Sequence, residues 1–249
     1  MLHRYFLRIS YQGTNYSGWQ IQPNAISVQE VIQNTLTKLN GNEQVKVMGC
    51  GRTDAGVHAI DFLLHLDFPE IEDQSHFIYK MNHMLPNDIA VHDIARMPEK
   101  AHTRFDAVRR TYKYYFHFKK NPFLSDRSLL ISDSIDIEKM KEGGEELKLH
   151  SDFEAFSRVK TAVNNFICDL SDVNWEREKD QLIFTISANR FLRNMVRAIV
   201  GTLIELGEGK ISLEEFKEII ASKNRNNAGK SAPAKGLFLV EVEYPYQVP

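Results

Sequence analysis

The sequence predicts an α+β protein built from two halves whose sheets are mainly antiparallel. Apolar and polar residues alternate along several short segments, as they do in strands with one buried face. Helical segments are few, and they are spaced too irregularly for a regular series of parallel strands and crossover helices. In each half, strands and a helix are followed by more strands and a second helix. We expect residues 1–107 and 108–249 to form the two α/β halves.

The first half begins with a strand over residues 4–11, in which Tyr5, Leu7, Ile9 and Tyr11 alternate with Arg4, Phe6, Arg8 and Ser10. Gly13 and Gly18 interrupt this pattern. Ser27 and Glu30 have the spacing of a capping box, which predicts a helix that runs to Leu39 and is ended by Gly41. The same reasoning predicts strands over residues 45–48 and 60–68, a helix over 74–84 and a strand over 89–97.

The second half begins with an aromatic strand, in which Tyr112, Tyr114, Phe116 and Phe118 alternate with Lys113, Tyr115, His117 and Lys119. A polar helix is predicted over residues 136–148, followed by strands over 165–175 and 182–188. A long helix over residues 191–206 is expected to end at Gly207, and a short capped helix over 212–221 precedes a final strand over 236–244.

The composition is that of an ordinary globular chain, with 43% hydrophobic and 26% charged residues. No apolar run approaches the roughly 18 residues needed to span a bilayer. The N-terminal residues lack the long apolar core of a signal peptide. Cys50 and Cys168 offer no disulfide framework and no zinc-binding pair. We therefore expect a cytoplasmic protein with no membrane partner and no metal site.

The charges are segregated along the chain although the formal net charge is only −2. Residues 96–120 contain eight basic residues against two acids, whereas residues 121–180 contain fourteen acids against eight bases. Residues 223–235 contain four basic residues and no acid. This distribution either forms a local basic groove for a phosphate backbone or reflects a solvated strand face and a flexible loop.

A glycine-bracketed loop over residues 49–58 joins two apolar strands. Glycines at 49, 51 and 56 permit a close approach of a ligand to the main chain. If the loop is extended, Arg52 and Asp54 project to the same side and face a bound substrate. In the alternative, the loop is a tight turn in which Asp54 bonds to local amides.

The eight residues Gly51-Arg52-Thr53-Asp54-Ala55-Gly56-Val57-His58 resemble the signature of the tRNA pseudouridine synthase A family. The resemblance continues in order along essentially the whole chain, through segments 16–20, 27–30, 85–91, 102–107, 110–114, 152–156, 195–201 and 236–240. Asp61-Phe62 departs from the family pattern, in which a glycine and a polar residue are frequent, and could alter substrate contacts.

The resemblance implies an enzyme that isomerises uridine to pseudouridine in tRNA, at positions 38 to 40 of the anticodon stem-loop, without metal or organic cofactor. It also implies a homodimer, and a fold in which the mainly antiparallel sheets of two α/β halves merge around a central active-site cleft.

The resemblance also implies roles for individual residues. Asp54 would be catalytic, either attacking C1′ as a nucleophile or removing the 2′ proton to give a glycal. Because a buried carboxylate stays ionised only beside a cation, Arg197 is its implied partner. Tyr112 would stack on the target base and help to remove the C5 proton. Arg52 would hold the flipped nucleotide or fill the space that it leaves. Further contacts to the substrate are expected from Arg104, Arg110 and Arg193.

The spacing of the arginines along the predicted long helix independently favours Arg197. Arg190, Arg193 and Arg197 follow an i, i+3, i+7 spacing and would form one basic stripe on a helix over residues 191–206. On this interpretation, Arg190 and Arg193 are candidates for phosphate contact only.

Two other functions compete with this one. The first is a non-catalytic RNA-binding protein on the same scaffold, which the joint presence of Asp54, Arg52, Tyr112 and Arg197 disfavours. The second is a hydrolase with an aspartate nucleophile, such as a phosphatase, which would need an acidic metal-binding cluster that the sequence lacks near Asp54.

Overall fold

The computed structural model describes residues 1–159 and 164–249. In these residues the chain forms nine strands and five α-helices, in the order β1 (His3–Tyr11), α1 (Val28–Leu39), β2 (Val47–Gly49), β3 (His58–Phe68), α2 (Gln74–Met84), β4 (Ile89–Arg96), β5 (Arg109–His117), β6 (Leu129–Leu130), α3 (Ile137–Leu147), β7 (Leu170–Glu178), β8 (Gln181–Ala188), α4 (Met195–Gly207), α5 (Leu213–Ala221) and β9 (Leu237–Glu243). The protein is therefore of the α+β class, as predicted.

The chain divides into two compact units. Unit 1 contains Met1–Val108 and Phe238–Pro249, and unit 2 contains Arg109–Leu237. The division after Val108 lies next to the expected boundary at 107. The last twelve residues pack with unit 1 rather than with the second half of the sequence, because β9 pairs in parallel with the start of β3.

Unit 1 contains a sheet in which β1 lies between β3 and β4 and is antiparallel to both. β2 is antiparallel to β3. Tyr5, Leu7, Ile9 and Tyr11 are buried, as their alternation predicts. Phe6 is also fully buried, because His65 and Tyr244 cover it on the opposite face. β1 is therefore covered on both faces at this point, which the alternation did not indicate.

The helices of unit 1 begin at capping side chains. The Oγ of Ser27 accepts a hydrogen bond from the amide of Glu30 at the start of α1, and Gly41 follows the helix with a φ of 64°. Asp73 accepts from the amide of His76 in the same way at the start of α2. Both helices have the bounds that the sequence pattern predicts.

Unit 2 contains an antiparallel sheet in which β8 lies between β5 and β7, with β6 parallel to β5. α3 packs against α4, α5 and β7. α5 begins with a complete capping box formed by Ser212 and Glu215. In the part of the chain that the structure describes, no helix has both the length and the apolar composition needed to cross a membrane.

The long helix of unit 2 begins later than predicted. The predicted start near residue 191 is wrong, because Asn194 has a left-handed backbone with a φ of 66° and α4 begins at Met195. Gly207 is the last residue of α4 and does not end it by its own conformation. The left-handed glycine that follows the helix is Gly209, with a φ of 69°.

Candidate active site

Asp54 begins a tight turn between β2 and β3. Its carbonyl oxygen accepts a hydrogen bond from the amide of Val57 at 3.1 Å, and Gly56 in the third position of the turn has a φ of 78°. Such a backbone is that of a type II turn, in which glycine is favoured at this position. The loop is thus a turn at Asp54, which is half-buried, while Arg52 is exposed.

The chain on both sides of Asp54 is held by the last residue of β1 and by residues that follow this strand. The hydroxyls of Tyr11 and Thr53 lie 2.9 Å apart, and the amide of Trp19 donates to the carbonyl of Thr53 at 3.3 Å. The amide of Gly56 donates to the carbonyl of Tyr16 at 3.2 Å. The position of Asp54 is therefore fixed by tertiary contacts in addition to its own turn.

Two glycines allow this close approach. A Cβ on Gly13 would lie 2.0 Å from the carbonyl oxygen of Val57, and a Cβ on Gly18 would lie 2.3 Å from that of Thr53. Gly18 also has a φ of 86°, which other residues rarely adopt. The sequence pattern identified these glycines only as residues that interrupt a strand.

Asp88 fixes the segment that holds the loop. Its carboxylate accepts from the hydroxyl of Tyr16 at 2.5 Å and from the side-chain amide of Asn15 at 3.0 Å, and its carbonyl accepts from the amide of Gln12 at 2.9 Å. Burial, together with this hydrogen bond to the carboxylate, raises the pKa of Tyr16. Residues 85–91, which resemble a segment of the family, therefore stabilise the loop indirectly, through the residues that follow β1.

Phe62 and Asp61, the two residues that depart from the family pattern, have structural contacts within unit 1. Phe62 is fully buried, with its ring centroid 4.2 Å from that of Trp19. Asp61 forms an ion pair with Arg8 and accepts from the amide of Val242 at 3.3 Å. These contacts account for both residues by packing and charge pairing.

Tyr112 lies on β5 opposite Ile186 of β8 and is half-buried. The ring of Phe191 meets it edge-on, with the centroids 5.2 Å apart and an interplanar angle of 86°. Two residues earlier, a guanidinium nitrogen of Arg110 donates to the carbonyl of Asn189 at 2.9 Å. Both side chains therefore lie against the segment that connects β8 to α4.

Arg197 lies in the first turn of α4 and is held by residues 228–233, which we name the strap. Its Nε donates to the carbonyl of Ala232 at 2.8 Å, and the amide of Ala232 donates to the carbonyl of Arg197 at 2.8 Å. This pair of bonds orients the guanidinium. Tyr114 donates from its hydroxyl to the carbonyl of Pro233 at 2.7 Å, which holds the end of the strap.

Further contacts hold the strap along α4. Asn194 donates to Ser231 Oγ at 2.6 Å, and Arg225 donates to the same atom at 3.0 Å. The amide of Gly229 donates to the hydroxyl of Thr202 at 3.0 Å. The basic residues near the strap are visible in the sequence, but the part of the strap in orienting Arg197 is not, since these contacts join residues far apart in the chain.

The predicted basic stripe of Arg190, Arg193 and Arg197 on one helix is wrong. The left-handed backbone at Asn194 separates the first two arginines from α4, so the i, i+3, i+7 spacing does not describe a helical face. Arg193 is exposed, and its carbonyl accepts from the amide of Arg158 at 3.1 Å. Only Arg197 of the three lies on the helix.

The predicted site residues divide between the two units. Unit 1 contains Arg52, Asp54 and Arg104, and unit 2 contains Arg110, Tyr112, Arg193 and Arg197. Arg104 lies in a loop over residues 102–106 and is exposed, with its guanidinium 5.8 Å from the centroid of the Phe105 ring.

The comparisons with known proteins agree on one family. A family model described as tRNA pseudouridine synthase matches residues 8–106 and 150–245. The tRNA pseudouridine synthase A of Bacteroides fragilis is 46% identical over 249 residues, covering 99% of this chain and 98% of that protein. The protein of the same name from Parabacteroides distasonis is 44% identical over 248 residues, covering 99% of this chain and 98% of that protein. The chain belongs to the tRNA pseudouridine synthase family.

Proposed function

We propose that this chain converts uridine to pseudouridine at positions 38 to 40 in the anticodon stem-loop of tRNA. In this isomerisation the N1–C1′ bond breaks, the uracil turns in place, and a C5–C1′ bond forms. C5 loses a proton and N1 gains one, so that the composition of the nucleoside is unchanged. Such a reaction needs a carboxylate held at C1′ or at the 2′ proton.

The turn at Asp54 is the observation that carries this proposal. Hydrogen bonds to Thr53 and Gly56 hold the backbone on both sides of Asp54, and Gly13 and Gly18 bring the neighbouring chain against it. An aspartate whose backbone is held in this way loses little conformational freedom when a substrate binds. It serves equally for nucleophilic attack on C1′ and for removal of the 2′ proton.

Arg197 supplies the positive charge that keeps the catalytic carboxylate ionised. The support for this role is the orientation of the guanidinium, whose Nε donates to the carbonyl of Ala232 at 2.8 Å. Tyr112 stacks on the target base, and its hydroxyl helps to remove the C5 proton. Arg52 holds the nucleotide after it leaves the RNA helix. Arg104, Arg110 and Arg193 contact the RNA backbone.

The remaining parts of the proposal rest on the family resemblance. The enzyme works as a homodimer in the cytoplasm, needs no cofactor, and has the family's arrangement of merging sheets around a central cleft. The proposed reaction, unlike that of a phosphatase, does not need a cluster of acidic side chains that binds a metal ion.

The proposal is tested by incubating the protein with an unmodified tRNA transcript. Pseudouridine is then mapped by carbodiimide adducts, which stop reverse transcription. We expect stops at positions 38 to 40 with the wild type and none with Asp54→Asn, because this change keeps the side-chain volume and removes the charge. The matched control is Asp133→Asn, at an exposed carboxylate in unit 2, which should retain wild-type activity.

Circular dichroism and thermal unfolding serve as controls, because Asp54→Asn should lose activity while it remains folded. Activity of Asp54→Asn within tenfold of the wild type would refute the role of this carboxylate. A wild type that binds tRNA but forms no pseudouridine would instead indicate a non-catalytic RNA-binding protein.

A further inference from the structure

The 102–106 loop is closed by hydrogen bonds among its own residues. The amide of His102 donates to Asp106 Oδ2 at 2.8 Å, and the amide of Asp106 donates to the carbonyl of His102 at 3.1 Å. Nδ1 of His102 accepts from the amides of Arg104 and Phe105, at 3.1 and 3.3 Å. His102 is thus held as the neutral imidazole, and burial lowers its pKa.

Residues far away in the sequence fix this loop to the rest of unit 1. The hydroxyl of Tyr244 donates to the carbonyl of Thr103 at 2.5 Å, and that of Tyr246 donates to Asp106 Oδ2 at 2.6 Å. The amide of Thr103 donates to Nδ1 of His65 on β3 at 3.2 Å. The loop is therefore rigid although it lies at the surface.

What this rigid loop presents to solvent is an aromatic ring. Phe105 is 75% exposed, with the ring of His102 centred 4.2 Å away and the guanidinium of Arg104 5.8 Å from its centroid. A flexible loop would turn such a ring inward, since exposing apolar surface to water is unfavourable. Here the hydrogen bonds prevent this, so a partner that covers the ring gains apolar contact with little further loss of entropy.

The basic residues of the same segment of the sequence favour an RNA partner. Arg96, Lys100 and Arg104 are all exposed and belong to the basic segment of residues 96–120. Aromatic side chains beside arginine are the usual surface on which unpaired bases stack. A contact between two protein copies would instead favour an apolar surrounding with few charges.

We propose that Phe105 is a base-stacking residue, on which an unpaired base of the tRNA packs while Arg104 contacts the adjoining phosphate. This inference rests on the proposed function for its ligand and adds a recognition residue that lies outside the catalytic loop. His102, Thr103 and Asp106 act as positioning residues, because they hold the loop and do not touch the base.

The test compares tRNA binding by Phe105→Ala and Phe105→Trp with the wild type. Phe123→Ala is the matched control, since Phe123 is 83% exposed and lies outside the basic segment. Dissociation constants are measured with an unmodified tRNA transcript, and sedimentation velocity records the oligomeric state. We expect Phe105→Ala to weaken binding about tenfold, a typical loss for one stacked base.

Phe105→Trp should bind within about twofold of the wild type, and its added fluorescence should be quenched by tRNA, because indole also stacks. Phe123→Ala should bind as the wild type does. Binding by Phe105→Ala within twofold of the wild type would overturn the inference. The inference would also be overturned if Phe105→Ala changed the oligomeric state and this change accounted for the whole loss of binding, since the ring would then contact a second copy of the chain. Because a dissociation constant does not depend on turnover for its detection, an inactive wild type would refute the proposed function and leave this comparison valid.

Discussion

Replacing Gly201 with alanine tests the contact between α4 and the strap that orients Arg197. An ideal Cβ at this position would lie 1.8 Å from the carbonyl oxygen of Lys230 and 3.1 Å from the amide nitrogen of Ala232. Carbon and oxygen atoms need about 3.4 Å, so the strap would have to retreat by roughly 1.6 Å. Gly201 lies in the middle of a buried helix, so α4 itself has little room to move.

The magnitude follows from the hydrogen bonds that such a retreat would break. The two bonds between Arg197 and Ala232 are 2.8 Å long, and the bond from Gly229 to Thr202 is 3.0 Å long. A shift of this size would lengthen all three bonds beyond hydrogen-bonding distance, and each bond contributes about 1 kcal/mol to stability. Alanine recovers about 1 kcal/mol of helix propensity. We therefore expect the free energy of unfolding to fall by about 2 kcal/mol.

Urea unfolding of the wild type and Gly201→Ala measures this change, and single-turnover rates on tRNA measure its effect on Arg197. The matched control for the stability measurement is Gly51→Ala, where an added Cβ would meet nothing within 4 Å. Helix propensity alone predicts that Gly201→Ala is more stable than the wild type, so the two explanations differ in sign. A variant as stable as the wild type or more so would refute the argument. If Gly201→Ala does not fold, Thr202→Val removes the acceptor for Gly229 without adding volume and should cost about 1–3 kcal/mol.

The remaining predictions concern individual side chains. Arg197→Met should lower the single-turnover rate at neutral pH by orders of magnitude. Arg193→Met should mainly weaken tRNA binding, since Arg193 lies outside α4. If the two variants have the same rate and the same affinity for tRNA, the role of Arg197 is contradicted. Tyr112→Phe should reduce turnover far more than tRNA affinity, because the ring still stacks and only the hydroxyl is lost; equal losses in the two measurements would assign Tyr112 to packing. Burial lowers the pKa of His65 from 6.5 to about 4, so between these values the unfolded chain takes up a proton that the folded chain resists. The free energy of unfolding should therefore fall as the pH decreases from 6.5 towards 4, by about 1–2 kcal/mol after allowing for solvent screening. Urea unfolding of His65→Gln, measured over the same pH range, should lack this decrease. If the variant depends on pH as the wild type does, His65 is not its source.

The sequence by itself determined the features that depend on neighbouring residues. α2 has the predicted bounds, and α1 and α5 begin directly after the capping residues Ser27 and Ser212, because a capping side chain bonds an amide only three residues away. The α+β class followed from the same local periodicity. The family could also be identified from the sequence, since eight consecutive residues around Asp54 carry the signature.

Only the tertiary structure decided features that join distant residues. Phe6 is buried on the face that its alternation assigned to solvent, because Tyr244 returns from the end of the chain to cover it. β9 also returns from the end of the chain to unit 1, where it pairs with β3. α4 begins at Met195 because Asn194 adopts a left-handed backbone, with its side chain bonded to Ser231 in the strap. Periodicity measures the spacing of residues along one segment, so it carries no information about the partner that a fold brings from elsewhere in the chain.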